Sequence, residues 1–165
     1  MIIGISGKKQ SGKSLVATLL AKRLGNCIVV NFADAVKEEV ARACNTTLAE
    51  VEKNKPFYRK LLQCWGTDYR RQQNDDYWIE KWGKKVSYIM DNRPLTNIIA
   101  ADVRFLNEIG CIEASGGLVI RVVRPSLPPD FHVSETELDN YPFDLVIENN
   151  GTIEQLEEQI KKLEL

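Results

Sequence analysis

The chain has 165 residues, about one domain's worth, of which 44% are hydrophobic and 27% charged, so intrinsic disorder and collagen-like structure are excluded. Lys plus Arg number 22 against 23 Asp plus Glu, a net charge of -1, so no domain-wide basic field exists to hold a nucleic-acid duplex. Any anion this protein binds must be met by a local pocket.

Residues 1–5 are apolar and read as a buried first strand, too short for a signal sequence or a membrane span. Leu15, Leu19, Leu20 and Leu24 then keep to one side of a helix that Gly25 ends in the left-handed conformation. Residues 27–31 read as the second strand and 33–44 as a helix. Residues 45–92 hold no good strand, only helical pattern broken at Pro56 and near Asn74-Asp75, and form an insertion in which a second substrate could be gripped. A third strand at 97–101, a helix at 104–115 ended by Gly116-Gly117 and a fourth strand at 118–123 follow. Residues 124–141, with Pro125, Pro128 and Pro129, form an irregular, lid-like excursion. A fifth strand spans 143–147, and Thr152 with Gln155 has the spacing of a capping box opening a last helix, whose stripe is Ile153, Leu156, Ile160 and Leu163.

Short apolar runs alternating with helical pattern predict an α/β fold: a five-stranded parallel sheet in a three-layer α/β/α sandwich, one domain over 1–165, with ligands bound beyond the carboxyl ends of the strands. The cysteines Cys27, Cys44, Cys64 and Cys111 form no C-x-x-C pair and His132 stands alone, which argues against zinc or thioredoxin-type chemistry. The expected setting is cytoplasmic, with reduced thiols, no membrane or nucleic-acid partner, and a monomer or homodimer.

The sharpest chemical signal is Gly7-Lys8-Lys9-Gln10-Ser11-Gly12-Lys13-Ser14, a complete G-x-x-x-x-G-K-S between a predicted strand and a predicted helix. Its glycines let backbone N–H groups converge on a polyphosphate, and the helix N-terminus adds partial positive charge. Lys13 reaches the β- and γ-phosphates, and the Ser14 hydroxyl faces magnesium. This is a P-loop, and Gly7, Lys8, Gln10, Ser11, Gly12, Lys13, Ser14 and Leu15 are its candidate ATP contacts. The third strand runs Ile98-Ile99-Ala100-Ala101-Asp102, which places Asp102 at a Walker B position beside that loop as the second Mg2+ candidate. Arg104 and Glu108 follow at i, i+4 spacing; taken alone they are a surface ion pair, but beside a nucleotide Arg104 faces phosphate and Glu108 orients it.

In the insertion, Arg59, Gln63 and Thr67 share one helical face, which suits a monophosphate clamp, while a solvated cationic face is the alternative. Tyr77, Trp78 and Trp82 could supply a stacking wall, although aromatic residues at that spacing are more often core. His132 in His-x-Ser-Glu suits a loop-fixing hydrogen-bond network.

These blocks, together with residues 32–37, 61–68 and 144–151, occur in an order that resembles the deoxynucleoside monophosphate kinases of bacteriophages. The resemblance implies Mg2+-dependent transfer of the ATP γ-phosphoryl group to a deoxynucleoside 5′-monophosphate (dNMP). It assigns Arg59, Lys60, Gln63, Gly66 and Thr67, with Asp34, Lys37, Arg70, Trp78, Arg104 and Glu108, to the dNMP site. Lys13, Asp102, Arg104 and a lid-side cation, Arg124 or Arg121, would form the catalytic set. Asn149 and Gly151 belong to the turn that borders the adenine. Ser14 departs from the pattern, since many relatives carry Asp there. A phosphomevalonate kinase with similar blocks, or a switch that hydrolyses nucleotide without an acceptor, are the competing readings; the absence of an Asn-Lys-x-Asp motif argues against a GTPase switch.

Overall fold

The computed structural model describes every residue except Ser126 and Pro129, so those two positions of the predicted lid lie outside the described residues. In chain order the elements are β1 (Ile2–Ser6), α1 (Lys13–Leu24), β2 (Cys27–Val29), α2 (Ala33–Ala43), α3 (Leu48–Lys53), α4 (Lys55–Gln63), a π-helix (Cys64–Arg71), α5 (Tyr77–Asn92), β3 (Asn97–Val103), α6 (Leu106–Ala114), β4 (Leu118–Val123), α7 (Val133–Thr136), β5 (Leu145–Glu148) and α8 (Ile153–Lys162). They form two compact units, Met1–Asn31 with Ile89–Leu165, and Phe32–Tyr88.

The first unit is built on a five-stranded sheet in the order β2-β3-β1-β4-β5, with every recorded pairing parallel. Strands β1 and β3 are almost wholly apolar because they are central and covered on both faces. On one face Ile3, Ile5, Ile99, Ile120 and Ile147 pack with Val16 and Leu20 of α1 and Leu156 and Ile160 of α8, while α6 lies against β1 and β4. Helix α1 leaves β1 towards one face and α6 leaves β3 towards the other, so the loops after these neighbouring strands diverge. Such a switch point opens a crevice at the carboxyl edge.

Several boundaries differ from expectation. Strand β3 runs two residues further than 101, and β2 stops at Val29. Gly25 has the positive φ expected after α1, 62°, but its ψ of 166° is extended rather than left-handed helical. The Thr152–Gln155 capping box is present, yet Ile153 is exposed and only Leu156 and Ile160 of the predicted stripe are fully buried. The predicted irregular excursion contains α7, whose N-cap His132 accepts the Ser134 N–H at Nδ1 (3.2 Å).

The second unit begins at Phe32, earlier than the expected 45, because α2 packs on α3, α4 and the π-helix. Phe32 stacks on Trp82 with centroids 4.7 Å apart, and the Trp78 indole N–H donates to the Gly66 carbonyl (2.7 Å). Residues 64–71, expected to continue an α-helix, are π-helical, a form concentrated at functional sites.

Candidate active site

The P-loop lies between β1 and α1, and its backbone takes the shape that its residues permit. Gly7 and Gly12 have φ of 150° and 100°, and Gln10 has φ of 64°. A Cβ on Gly7 would fall 2.5 Å from the Val122 carbonyl oxygen and 2.7 Å from the Ser11 hydroxyl, and one on Gly12 would collide with the Asn149 amide. Glycine at both positions therefore keeps a cradle open. Among the described residues, Ser11 Oγ is the one buried side-chain polar atom without a hydrogen-bond partner, and it lies inside this loop. That unfilled polar valence and the glycine-lined space fit a polyphosphate.

Lys13 is buried at the start of α1, where its ammonium donates to the carbonyls of Gly7 (2.7 Å) and Lys8 (2.8 Å). Burial, then the nearby Arg104 guanidinium, pulls its pKa from 10.5 down to about 7, against the opposing pull of Glu135 and Asp102. Arg121 on β4 donates to Ser6 Oγ (3.0 Å) and pairs with Asp139 (3.2 Å); burial, reinforced by Arg104, lowers its pKa despite Asp139. Two cations whose pKa values are lowered by burial, and each further by the neighbouring Arg104, define a place where added negative charge is stabilised.

Asp102, half-buried, sits at the carboxyl end of β3, next to the Ser6–Val103 register pair that sets β3 beside the loop. Ser14 is exposed on the first turn of α1. A hydroxyl and one carboxylate suit Mg2+, which keeps several waters and takes its other ligands from substrate phosphates. No cluster of three or more His, Cys, Asp or Glu suited to a metal occurs among the described residues.

Glu108 orients Arg104 through the backbone. Arg104 precedes α6, and the buried Glu108 carboxylate reaches back to accept the N–H of Arg104 (2.7 Å) and of Phe105 (3.2 Å). This is half of a capping box, since the Phe105 side chain has no acceptor to return. The Arg104 guanidinium meets the Ser134 carbonyl (3.0 Å) and the Glu135 carboxylate (2.5 Å), and a second Glu135 oxygen accepts the Lys9 N–H (2.8 Å). Glu137 accepts the Leu106 N–H (2.8 Å), and Asp139 pairs with Lys8 (2.6 Å). The 133–139 portion of the predicted lid is thus pinned to the loops after β1 and β3. A pocket lined by Ser6, Gly7, Arg104, Arg121, Ser134 and Glu135 lies within this arrangement.

Of the two lid-side cations, Arg121 lines this pocket, whereas Arg124 is exposed beyond β4. Asn149 braces the P-loop by donating its side-chain amide to the Ser11 carbonyl (2.8 Å), and Gly151 is exposed in the same turn. Lys8 and Leu15 are half-buried and Gln10 is exposed.

In the second unit, Arg59 and Gln63 are half-buried on α4 and Lys60 is exposed. Gly66 is buried and Thr67 half-buried in the π-helix. Lys37 is buried and already balanced, 2.5 Å from Glu52 and 3.3 Å from Asp34. Of the two readings of Trp78 and Trp82 the core is the one found, since both are within 3% of full burial; Trp78, expected at the dNMP site, therefore presents no face to a base.

The sequence reading missed Glu39. Its buried carboxylate accepts from Trp65 Nε1 (3.0 Å), Arg70 Nε (3.0 Å) and Tyr77 OH (2.5 Å). Trp65 and Arg70 are five residues apart, so the i, i+5 repeat of the π-helix puts both on Glu39, where an α-helix would splay them. Arg70 also lies over the rings of Trp65, Tyr69 and Tyr77. These bonds outweigh burial and hold the Glu39 pKa below the usual carboxylate value.

A sequence profile described as deoxynucleotide monophosphate kinase matches residues 47–160. A putative deoxynucleotide monophosphate kinase of Acanthamoeba polyphaga mimivirus is 32% identical over 189 residues, spanning 97% of this chain and 94% of that protein. The deoxynucleotide monophosphate kinase of Enterobacteria phage T4 is 32% identical over 136 residues, 79% of this chain but 56% of that protein. Among solved structures, TT1252 from Thermus thermophilus shares the fold, with a TM-score of 0.56 at 20% identity over 98% of this chain and 94% of that one. With a profile match over more than half its length and a relative aligned nearly end to end, this P-loop α/β protein belongs to the deoxynucleotide monophosphate kinase family.

Proposed function

We propose that the protein transfers the γ-phosphoryl group of ATP to a deoxynucleoside 5′-monophosphate, giving ADP and the dNDP, with Mg2+ as cofactor. The observation that carries this reading is the cluster of Lys13, Arg104 and Arg121 around the glycine cradle, with the pKa values of Lys13 and Arg121 lowered first by burial and then by the neighbouring Arg104. The family supplies the acceptor class.

An oxygen of the dNMP phosphate attacks the γ-phosphorus, and the bond to the β-phosphate oxygen breaks, leaving ADP. The acceptor is already an anion, so no general base is needed. Catalysis is alignment and charge neutralisation. Lys13 and the P-loop N–H groups hold the β- and γ-phosphates, and Arg104 and Arg121 bring two approaching anions together. Ser14 and Asp102 would hold Mg2+, which supplies further charge neutralisation on the phosphates. Arg59, Lys60, Gln63 and Thr67 hold the dNMP, with Arg70 set by Glu39. The 124–141 segment excludes water, which would otherwise consume ATP.

Coupled ADP release tests the reading. Turnover should depend on added dNMP, and Arg59→Ala should raise the dNMP KM while ATP affinity stays within a few-fold. Fast hydrolysis without acceptor, or turnover only with phosphomevalonate, would refute it.

A further inference from the structure

We propose that Glu135 is a positioning residue for phosphoryl transfer, holding the Arg104 guanidinium and the P-loop backbone in fixed relation; this rests on the kinase reading above. Its side chain is 2% exposed, and each oxygen has a different task. Oε1 lies 2.5 Å from Arg104 Nη1, and Oε2 accepts the Lys9 N–H at 2.8 Å. One carboxylate thereby joins the loop after β1 to the loop after β3, the two that flank the crevice.

A carboxylate beside a polyphosphate site weakens anion affinity by like-charge repulsion, so its benefit to catalysis must be geometric. The contacts to Ser134 and Glu135 both run to Nη1, so they hold the guanidinium by one nitrogen. A bidentate pairing would consume the fork that phosphate needs. Helix α7 is itself held in place. The Glu135 N–H donates to the His132 carbonyl (2.8 Å), His132 Nδ1 lies 2.8 Å from Ser134 Oγ, and Leu138 is buried beneath the turn that follows. In metal sites, partners that fix a working ligand are typically worth about 10–100-fold in affinity or activity, and that sets the scale expected of a carboxylate that fixes a working guanidinium.

Glu135→Gln keeps the shape but sets an NH2 group against either the Lys9 N–H or Arg104. The kcat for dNMP phosphorylation should fall by about 10–100-fold, while ATP affinity is unchanged or tighter because a negative charge is gone. In an Arg104→Lys background the same substitution should cost less than about 3-fold, since coupled residues are non-additive. Equal losses in both backgrounds would make Glu135 merely structural and overturn the proposal. A second readout needs no turnover: in the free wild-type protein, rotation of the Arg104 Nη groups should be slow in nitrogen-15 NMR spectra, and fast in Glu135→Gln. Fast rotation in the wild type refutes the inference even if the variant fails to fold. Slow rotation in a wild type that phosphorylates no dNMP would refute the kinase reading alone.

Discussion

Replacing Glu108 by alanine should both destabilise the protein and slow it, because one buried carboxylate caps α6 and holds the Arg104 backbone. The substitution removes acceptors from the N–H groups of Arg104 and Phe105. Hydrogen bonds to charged groups contribute about 1.5–3 kcal/mol each, and the carboxylate's interaction with the N-terminus of α6 adds about 0.3–1 kcal/mol. Phe105 is buried, but Arg104 is half-exposed and water can replace part of its bond, so a loss of about 3 kcal/mol follows. For a chain of this size that is a fall in Tm of about 6–12 °C. Glu108→Gln keeps a neutral acceptor and should lose about 1 kcal/mol. Differential scanning calorimetry gives the stabilities, and coupled ADP release gives kcat, which should fall in the alanine variant at temperatures where it remains folded. A Tm within about 2 °C of wild type for Glu108→Ala, or equal losses for alanine and glutamine, would refute the capping argument.

Gly12→Ala places a methyl group against the Asn149 amide at a φ of 100° and should weaken ATP binding by about 10–100-fold, the equivalent of 1–3 kcal/mol of strain. Adding Asn149→Ala should relieve the collision but not the dihedral strain, so titration calorimetry should show partial recovery; an unchanged Kd in the single variant would contradict the cradle. For Glu39→Gln the sign follows from the depressed carboxylate pKa. The native charge contributes stability above the unfolded value of about 4.3, and that contribution disappears as pH falls through the lower folded value. Urea midpoints of wild type and variant should therefore differ at pH 7 and draw together as pH falls through the folded value; a gap independent of pH would remove the charge from the account.

Much of the sheet was legible because buried parallel strands read as unbroken apolar runs, and β4 is found at the expected residues. The P-loop was legible for a related reason, since its glycines, lysine and serine are consecutive and their spacing encodes the geometry. What escaped depends on distant pairings. Glu135 meets Lys9 across 126 positions, and Asn149 meets Ser11 across 138, with no local pattern to announce either. The π-helix escaped because one extra residue per turn leaves no mark on a polar stretch, and with it went the link between Trp65, Arg70 and Glu39. Trp78 and Trp82 are core, the commoner outcome for aromatic residues at helical spacing, and only the placing of Trp78 at the dNMP site is corrected by its burial.

The central claim is a direct transfer from donor to acceptor at the P-loop, and γ-labelled ATP tests it most directly. Incubated with each common dNMP and Mg2+, the wild-type protein should place the label in dNDP with at most a trace as inorganic phosphate, and Lys13→Ala should do so at a small fraction of the rate while remaining folded. Label released mainly as inorganic phosphate, or wild-type transfer by Lys13→Ala, would contradict it.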